Sequence, residues 1–429
     1  MFQPTGSRRD AASVIFNLPG YRVVDAVDLP LGGRRVKVQP VDLADGCTDC
    51  GVVSARVHAW VEQRVRDVPH AGRVEVVVRK PRLVCAEPLC PRRTFTPATA
   101  ELPARARCTT RLRAAVLDAV IGSGRAVAEV AAAHRVAWWT AQATVNAAAV
   151  LLPDVDELHV RRLGIDEHRY RSVRWYRDDH GGWRRVEPWM STIVNADCGQ
   201  VLGIVDGRDS AAVGGWLTAR SPAWRDRIEV VAIDPSAAFR KAIVDALPHA
   251  KVSVDGFHLV QLANLMVTRV RQRLVRDRAH RRGRLVDPAW ANRLLLLRGY
   301  DTLSARAKAR LDMVFATDDP TQELGAVWGV KEQLRRLLKV DTVEQAQKEK
   351  MIMGCYVVAA DMDETWRLWN TINTWWPAIE VLIATGVSNA RTEAANTGVK
   401  QIKRTGRGYR NSGHYQARIL LRSAARRAA

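Results

Sequence analysis

The sequence is short of acid, short of aromatics and without long apolar runs, and each shortage excludes something. Its 429 residues hold 45 Asp and Glu against 66 Lys and Arg, for a formal charge of +21. An excess of that size concentrates polyanions around the chain. No uncharged apolar stretch approaches the roughly 18 residues of a membrane span, so the charge points to nucleic acid rather than to a membrane. The opening MFQPTGSRRDAASV has no apolar segment before a cleavage site, so no secretory signal is expected and a cytoplasmic location follows. Cysteine is scarce and odd in number, at seven, which argues against a disulfide framework and for metal binding. The length leaves room for several domains.

What is present begins with four of those cysteines. Cys47 and Cys50 frame a turn-rich CTDC, and Cys85 and Cys90 frame CAEPLC after the strand-like VEVVVRKPRLV. Two thiolates two to four residues apart on a tight knuckle can share one tetrahedral Zn²⁺, and two knuckles joined by a β-hairpin make a zinc ribbon. The alternative is four thiols with no metal. Cys108, Cys198 and Cys355 lack such spacing and read as ordinary small buried residues.

Residues 109–150 have helical periodicity, with Leu112, Val116, Ala119 and Val120 on one face. RAVAEVAAAHRVAWWTAQATVNAAAV then reads as two helices around a break near His134–Val136. The second helix carries Trp138, Trp139, Thr140 and Gln142. It fits the groove-entering helix of a helix-turn-helix, with Arg105, Arg107, Arg111 and Arg113 as phosphate contacts. A plain helical hairpin is the alternative.

From 155 onward strands dominate. Leu163–Ile165 is expected to end in Asp166, Trp189–Val194 and Val201–Val205 to form a hairpin, and Ile228–Ile233 to end in Asp234. A helix over SAAFRKAIVDAL and a strand KVSV ending at Asp255 follow. This order matches an RNase H-like core, whose first and fourth strands are neighbours. A lone Asp at a strand end is usually a turn former or helix cap. Two on adjacent strands, with a third acid, could hold two hard divalent ions, Mg²⁺ or Mn²⁺, for phosphoryl transfer.

A helical stretch of about 262–385 follows. Residues 269–284 hold eight arginines, among them Arg269, Arg271 and Arg273, against one acid, and read as a phosphate-binding face rather than a merely solvated one. Trp366 and Trp369 read as core, and Pro377 as a helix end. In the tail, Glu393 precedes nine Lys or Arg and no further acid. One helix from Glu393 to Arg404 would place Lys400, Lys403 and Arg404 two to three turns beyond the glutamate, where they are expected to meet DNA. The glutamate is either a salt-bridge partner or a third metal ligand.

CTDC…CAEPLCPRRTF, RAVAEVAAAHRVAWWTA, LGIDEHRYR, VVAIDPSAAFRKAI, VSVDGFHLVQLAN and NARTEAANTGVKQIKRTGRGYRN, in this order, resemble the DDE transposases of the ISL-three insertion-sequence family over nearly the whole length. The resemblance implies a multidomain α+β and α/β chain: a zinc-binding domain (1–104), a helix-turn-helix (105–155), and an RNase H-like domain with a helical insertion (156–429). It implies that Asp166, Asp234 and Glu393 are the catalytic acids holding two Mg²⁺ ions. It further implies binding to terminal inverted repeats, cleavage that frees a 3′-hydroxyl, and joining to target DNA by a homo-oligomer. Asp255 and His258 match an associated motif in which Gly256 replaces the usual Arg, and Asp255 competes with Asp234 as second ligand. A non-catalytic regulator and a nuclease of the same fold are the rival expectations.

Overall fold

The computed structural model describes residues 10–428 apart from 31 and 71. The reading of the first nine residues lies outside this range. The chain divides into two compact units, one of residues 1–152 with 404–429, the other of residues 153–403. The tail expected within the catalytic domain thus packs largely with the N-terminal unit.

In the first unit, strands Tyr21–Asp28, Arg34–Pro40, Val74–Val84 and Val57–Val65 lie side by side in that order. Val36, Val38, Val65, Val76 and Val78 alternate onto one face and close a core with Phe16, Leu18, Tyr21 and Leu102. The antiparallel pair Val57–Val65 and Val74–Val84 separates the two cysteine knuckles, as a zinc ribbon requires.

The helical part comprises Thr110–Leu117, continued as a π-helical turn Asp118–Gly122, then Val127–Ala133 and Trp138–Val150. Arg135 turns the chain between the last two with φ of 52°. Leu112, Val116, Val120, Val130, Ala141 and Val145 form their core, joined by Leu421 of the tail helix Ser412–Ala428. Arg418, 2% exposed, donates to the carbonyls of Gly124 and Arg125 at 2.9 and 2.7 Å. Arg422 caps Ile121 and Gly122 in the same way. Cations suit the unsatisfied carbonyls at a helix C-terminus. These tail arginines are therefore structural. So is Arg111, expected on phosphate: it pairs with buried Asp67 and donates to the Phe16 carbonyl at 2.8 Å.

In the second unit, five strands make one sheet: β1 (Arg162–Arg169), β2 (Trp189–Asn195), β3 (Val201–Asp206), β4 (Val230–Ile233) and β5 (Lys251–Val254), in the order β3-β2-β1-β4-β5. The first three are antiparallel, and β4 runs parallel to both β1 and β5. This is the RNase H-like arrangement, with β1 beside β4 as expected. Asp166 lies inside β1 rather than at its end, because the strand continues to Arg169.

The helical stretch begins with a helix from Gly256 to Ala279. Its core is continuous with that of the sheet: Ile165, Ile193, Val231 and Phe239 belong to the same buried cluster as Val267, Val330, Val357 and Ile379. The arginine run is not one phosphate-binding face. Arg271 is 6% exposed, Arg273 binds Glu323 and Glu364 at 2.6 and 3.1 Å, Arg278 pairs with Asp318 and Arg281 with Asp287. Of the three singled out, only Arg269 is exposed. Trp369 packs on the core, whereas Trp366 is half-exposed. Pro377 opens the helix Trp376–Thr385 instead of ending the previous one, since the first helical turn needs no N–H from it. Cys108 is buried as expected; Cys198 and Cys355 are exposed. No helix among the described residues is long and apolar enough to cross a membrane.

Candidate active site

β1 places Asp166 on the sheet, in register with Thr192 of β2. Asp234 follows β4 directly, and its neighbour Ile233 is paired with Ile165 of β1, so the two aspartates emerge side by side. The helix Ala390–Thr405 carries Glu393, whose Oε1 shares His258 Nε2 with Asp234 Oδ2. A close approach makes this possible: a Cβ on Gly164 would collide with the Thr392 hydroxyl, so the glycine of LGIDE lets the helix rest on the strand.

The helix and the residue just before it hold both aspartates. Asn389 donates to Asp234 Oδ1 at 3.0 Å and to the Ile165 carbonyl at 3.3 Å. Asn396 donates to Asp166 Oδ2 at 2.6 Å. Asn389, the residue just before the helix, and Glu393 and Asn396 within it recur at four and three positions, so this one segment supplies an amide to each aspartate and carries the third acid.

Behind Asn396 lies a directional relay. Its Oδ1 accepts the Thr192 hydroxyl at 2.7 Å, which leaves the Thr192 oxygen to accept from His168 Nδ1 at 2.9 Å. Burial, helped by Lys403 and Lys400, drives the His168 pKa down to about 4. The ring is neutral at pH 7, and the relay assigns its proton to Nδ1. Gly164, His168 and Thr192 were given no role from the sequence, and Asn389 and Asn396 stood there only as part of the NARTEAAN stretch. The Asn-x-x-x-Glu-x-x-Asn spacing marks two of the five, Asn389 and Asn396, beside Glu393; the amide each lends to an aspartate is what the structure adds.

His258 sits between two of the acids, its Nε2 lying 3.1 Å from Asp234 Oδ2 and 3.3 Å from Glu393 Oε1. Asp255 has another occupation: it caps the Gly256–Ala279 helix, accepting the Phe257 N–H at 2.7 Å. Burial, and then the Asp166 charge, raise the Asp234 pKa to about 6, against the opposing pull of Asn389 and His258. Carboxylates crowded until one resists ionisation are short of positive charge. The oxygen donor set is the kind that hard divalent cations take.

Of the basic residues expected near the acids, Lys403 donates to the Arg169 carbonyl at 2.7 Å, while Lys400 and Arg404 are exposed. In the first unit, Trp139 is 74% and Trp138 37% exposed at the start of the second helix of the helix-turn-helix. Trp138 packs edge-on against Trp139 and tilted on His414.

The sulfur atoms of Cys47, Cys50, Cys85 and Cys90 all lie within 4.8 Å of one another. Cys47 to Cys90 is 4.0 Å and Cys50 to Cys85 3.5 Å. A tetrahedron of Zn–S bonds of about 2.3 Å has edges of about 3.8 Å, so the four fit Zn²⁺. The N–H groups of Cys50 and Asp49 bring the Cys47 thiol pKa down to about 7, while burial and the neighbouring thiols hold Cys85 and Cys90 up, so without metal a thiolate is favoured at Cys47 and those two stay protonated. This is a structural zinc site.

Comparison with known proteins finds three matching regions. A transposase family model matches residues 163–419. The zinc finger of transposases IS204, IS1001, IS1096 and IS1165 matches 44–90, and the helix-turn-helix domain of transposase family ISL3 matches 101–149. The transposase for insertion sequence element IS1001 of Bordetella parapertussis is 28% identical over 68% of this chain and 67% of its own length. The transposase for insertion sequence element IS1557 of Mycobacterium tuberculosis is 24% identical over 67% of this chain and 65% of its own. The chain thus matches about two thirds of the length of these relatives. The Drosophila P element transposase strand transfer complex superposes with a TM-score of 0.36 at 9% identity, over 65% of this chain and 80% of that one, too weakly to carry an argument. The chain belongs to the ISL3 family of transposases.

Proposed function

We propose that this protein binds the terminal inverted repeats of an insertion sequence, cleaves DNA at the element ends and transfers the freed 3′-hydroxyl to target DNA. The observation that carries the reading is the gathering of Asp166, Asp234 and Glu393 by one sheet and one helix, with amides on both aspartates. Asp166, Asp234 and Glu393 would hold Mg²⁺ or Mn²⁺, which supplies Lewis-acid activation of the attacking oxygen and neutralises the leaving one. The chain itself fixes the carboxylates before substrate arrives: Asn396 orients Asp166, Asn389 orients Asp234, and Gly164 sets the helix against the strand. Such pre-positioning lowers the reorganisation needed at the reacting phosphate. His258 Nε2 lies within reach of both Asp234 Oδ2 and Glu393 Oε1 and helps to fix the two carboxylates.

The competition between Asp234 and Asp255 favours Asp234, because Asp255 is spent on a helix cap. DNA-binding roles are assigned to Trp138 and Trp139 on the helix-turn-helix and to exposed Arg269, Lys400 and Arg404, with Lys403 held to backbone beside them. Joining two ends in one event needs two such sites, hence a homo-oligomer on DNA, and a DNA substrate places the protein with the nucleoid in the cytoplasm. The test is end cleavage with Mg²⁺ by Asp166→Asn, Asp234→Asn, Asp255→Asn and Glu393→Gln. Loss in the first, second and fourth is expected. Activity kept by Asp234→Asn but lost by Asp255→Asn would move the second ligand, and activity in all four would end the proposal.

A further inference from the structure

Between β1 and β2 the chain leaves the sheet as a separate hairpin, Arg174–Arg177 paired antiparallel with Trp183–Val186. Every residue of its first strand is exposed, and so are the first three of its second. A two-stranded hairpin that hides neither face is marginal in water, and this one exposes its largest rings: Trp175 is 57%, Tyr176 49% and Trp183 63% exposed.

The register sorts the side chains by face. Trp175 stands opposite Arg185 and Arg177 opposite Trp183 on one face; Tyr176 stands opposite Arg184 and Arg174 opposite Val186 on the other. Each face therefore sets arginine beside an aromatic ring, and the Arg177 guanidinium lies 5.4 Å from the Trp183 centroid. Arg185 is held by Glu187 at 2.5 Å, but Arg174 and Arg184 make no ion pair among the described residues. The pattern continues into the sheet, where Trp189 lies between the guanidinium groups of Arg169 and Arg208, at 4.9 and 4.5 Å.

Solubility alone would be served by mixed charges without exposed rings. Guanidinium groups beside flat apolar surfaces suit a polyanion that also offers sugar and base surfaces. The tip carries Asp178 and Asp179, of which Asp178 closes the turn by accepting the N–H groups of His180 and Gly182 at 3.0 and 2.7 Å. The strand faces, not the tip, are the contact surface. Four residues separate Arg169, the end of β1, from Arg174 of the hairpin; these five Cα steps span at most about 18 Å, which keeps the hairpin near the strand that carries Asp166. A two-stranded ribbon fits the major groove of duplex DNA, about 12 Å wide.

We propose that the 174–186 hairpin is a DNA-contact element that lays its arginines on the phosphates of the duplex beside the acidic site and its tryptophans against the groove. It rests on the reading that those acids act on DNA, but its test reads binding rather than cleavage, so the two can fail separately. Full-length Arg174→Ala/Arg177→Ala/Arg184→Ala and Trp175→Ala/Trp183→Ala proteins are titrated with a fluorescein-labelled duplex from the element's own end, at several salt concentrations. The arginine variant is expected to bind at least tenfold more weakly at low salt, with the log–log salt slope reduced by about 3, near one per lost phosphate contact. The tryptophan variant is expected to lose affinity about tenfold with the slope unchanged. Both should keep wild-type melting temperature and zinc content. Unchanged affinity and slope in both folded variants would overturn the proposal. So would a change of sedimentation mass without DNA alongside unchanged affinity, which would make the hairpin an interface between copies.

Discussion

The cysteine cluster and the acidic cluster differ in how they are assembled. The four thiols come from two short knuckles, and the hairpin between them brings all four sulfurs together. The acids come from distant parts of the chain: Asp166 is held by an asparagine 230 residues away. A soft, closed, four-ligand site needs little beyond local spacing and carries folding energy but no chemistry. A hard-oxygen site with an exposed side needs a sheet, a helix and supporting amides to hold groups that repel one another.

That contrast can be broken from either side. Removing zinc should have the largest effect. In Cys90→Ser the bound metal should fall from one per chain towards none by mass spectrometry, and the ribbon should unfold, because structural zinc contributes on the order of 10 kcal/mol of folding energy. An intact near-UV spectrum in metal-free Cys90→Ser would show that the ribbon stands without its ion.

Substituting an acid should instead spare the fold and remove the chemistry. Asp166→Asn and Glu393→Gln should lower end cleavage by roughly a hundredfold to ten-thousandfold, since metal stabilisation of the transition state amounts to several kcal/mol. Gel-shift affinity for the same DNA should stay within a few-fold, and a parallel loss of binding would assign these acids to DNA contact.

The supporting groups should matter less. Asn396→Ala frees Asp166 from its amide and should cost about 10–100-fold in apparent Mg²⁺ affinity, the usual range for groups that orient a metal ligand. Gly164→Ala drives a methyl into Thr392 and should produce a loss of similar kind by displacing the helix. A Mg²⁺ titration of cleavage checks both.

The smallest effect is on stability. Burial and the Asp166 charge raise Asp234 to about 6 in the folded chain, above its ordinary unfolded value. A raised carboxyl favours the protonated fold. That contribution is complete below about pH 4 and is lost as pH rises through 6. The melting temperature of the metal-free protein should therefore fall between about pH 4 and 6. Asp234→Asn should flatten this dependence, and so should millimolar Mg²⁺. A profile identical in wild type and Asp234→Asn would remove the electrostatic crowding from the account.

The sequence made some of this legible and hid the rest for physical reasons. Apolar runs ending near Asp166 and Asp234 marked neighbouring strands, because buried parallel strands are continuously apolar. The position of Asp166 inside β1 was hidden, since EHR continues the strand without apolar residues. The arginine run after Val267 looked like one basic face because composition does not say which way a side chain turns. Arg271 faces inward, and half-exposed Arg273 is held by Glu323 and Glu364 from later helices. The 174–186 hairpin escaped notice because neither face is buried and no alternation marks it. The tail helix read as a basic extension of the catalytic domain, whereas Arg418 and Leu421 tie it into the helix-turn-helix bundle.

The central claim is that Asp234, with Asp166 and Glu393, is a metal ligand while Asp255 is a helix cap. Exchanging each aspartate for cysteine tests it directly, because a thiolate ligand disfavours Mg²⁺ relative to the softer Mn²⁺. End cleavage by Asp234→Cys should be lost with Mg²⁺ and recovered with Mn²⁺, and Asp255→Cys should show no such switch. A metal switch in Asp255→Cys, with none in Asp234→Cys, would contradict the account.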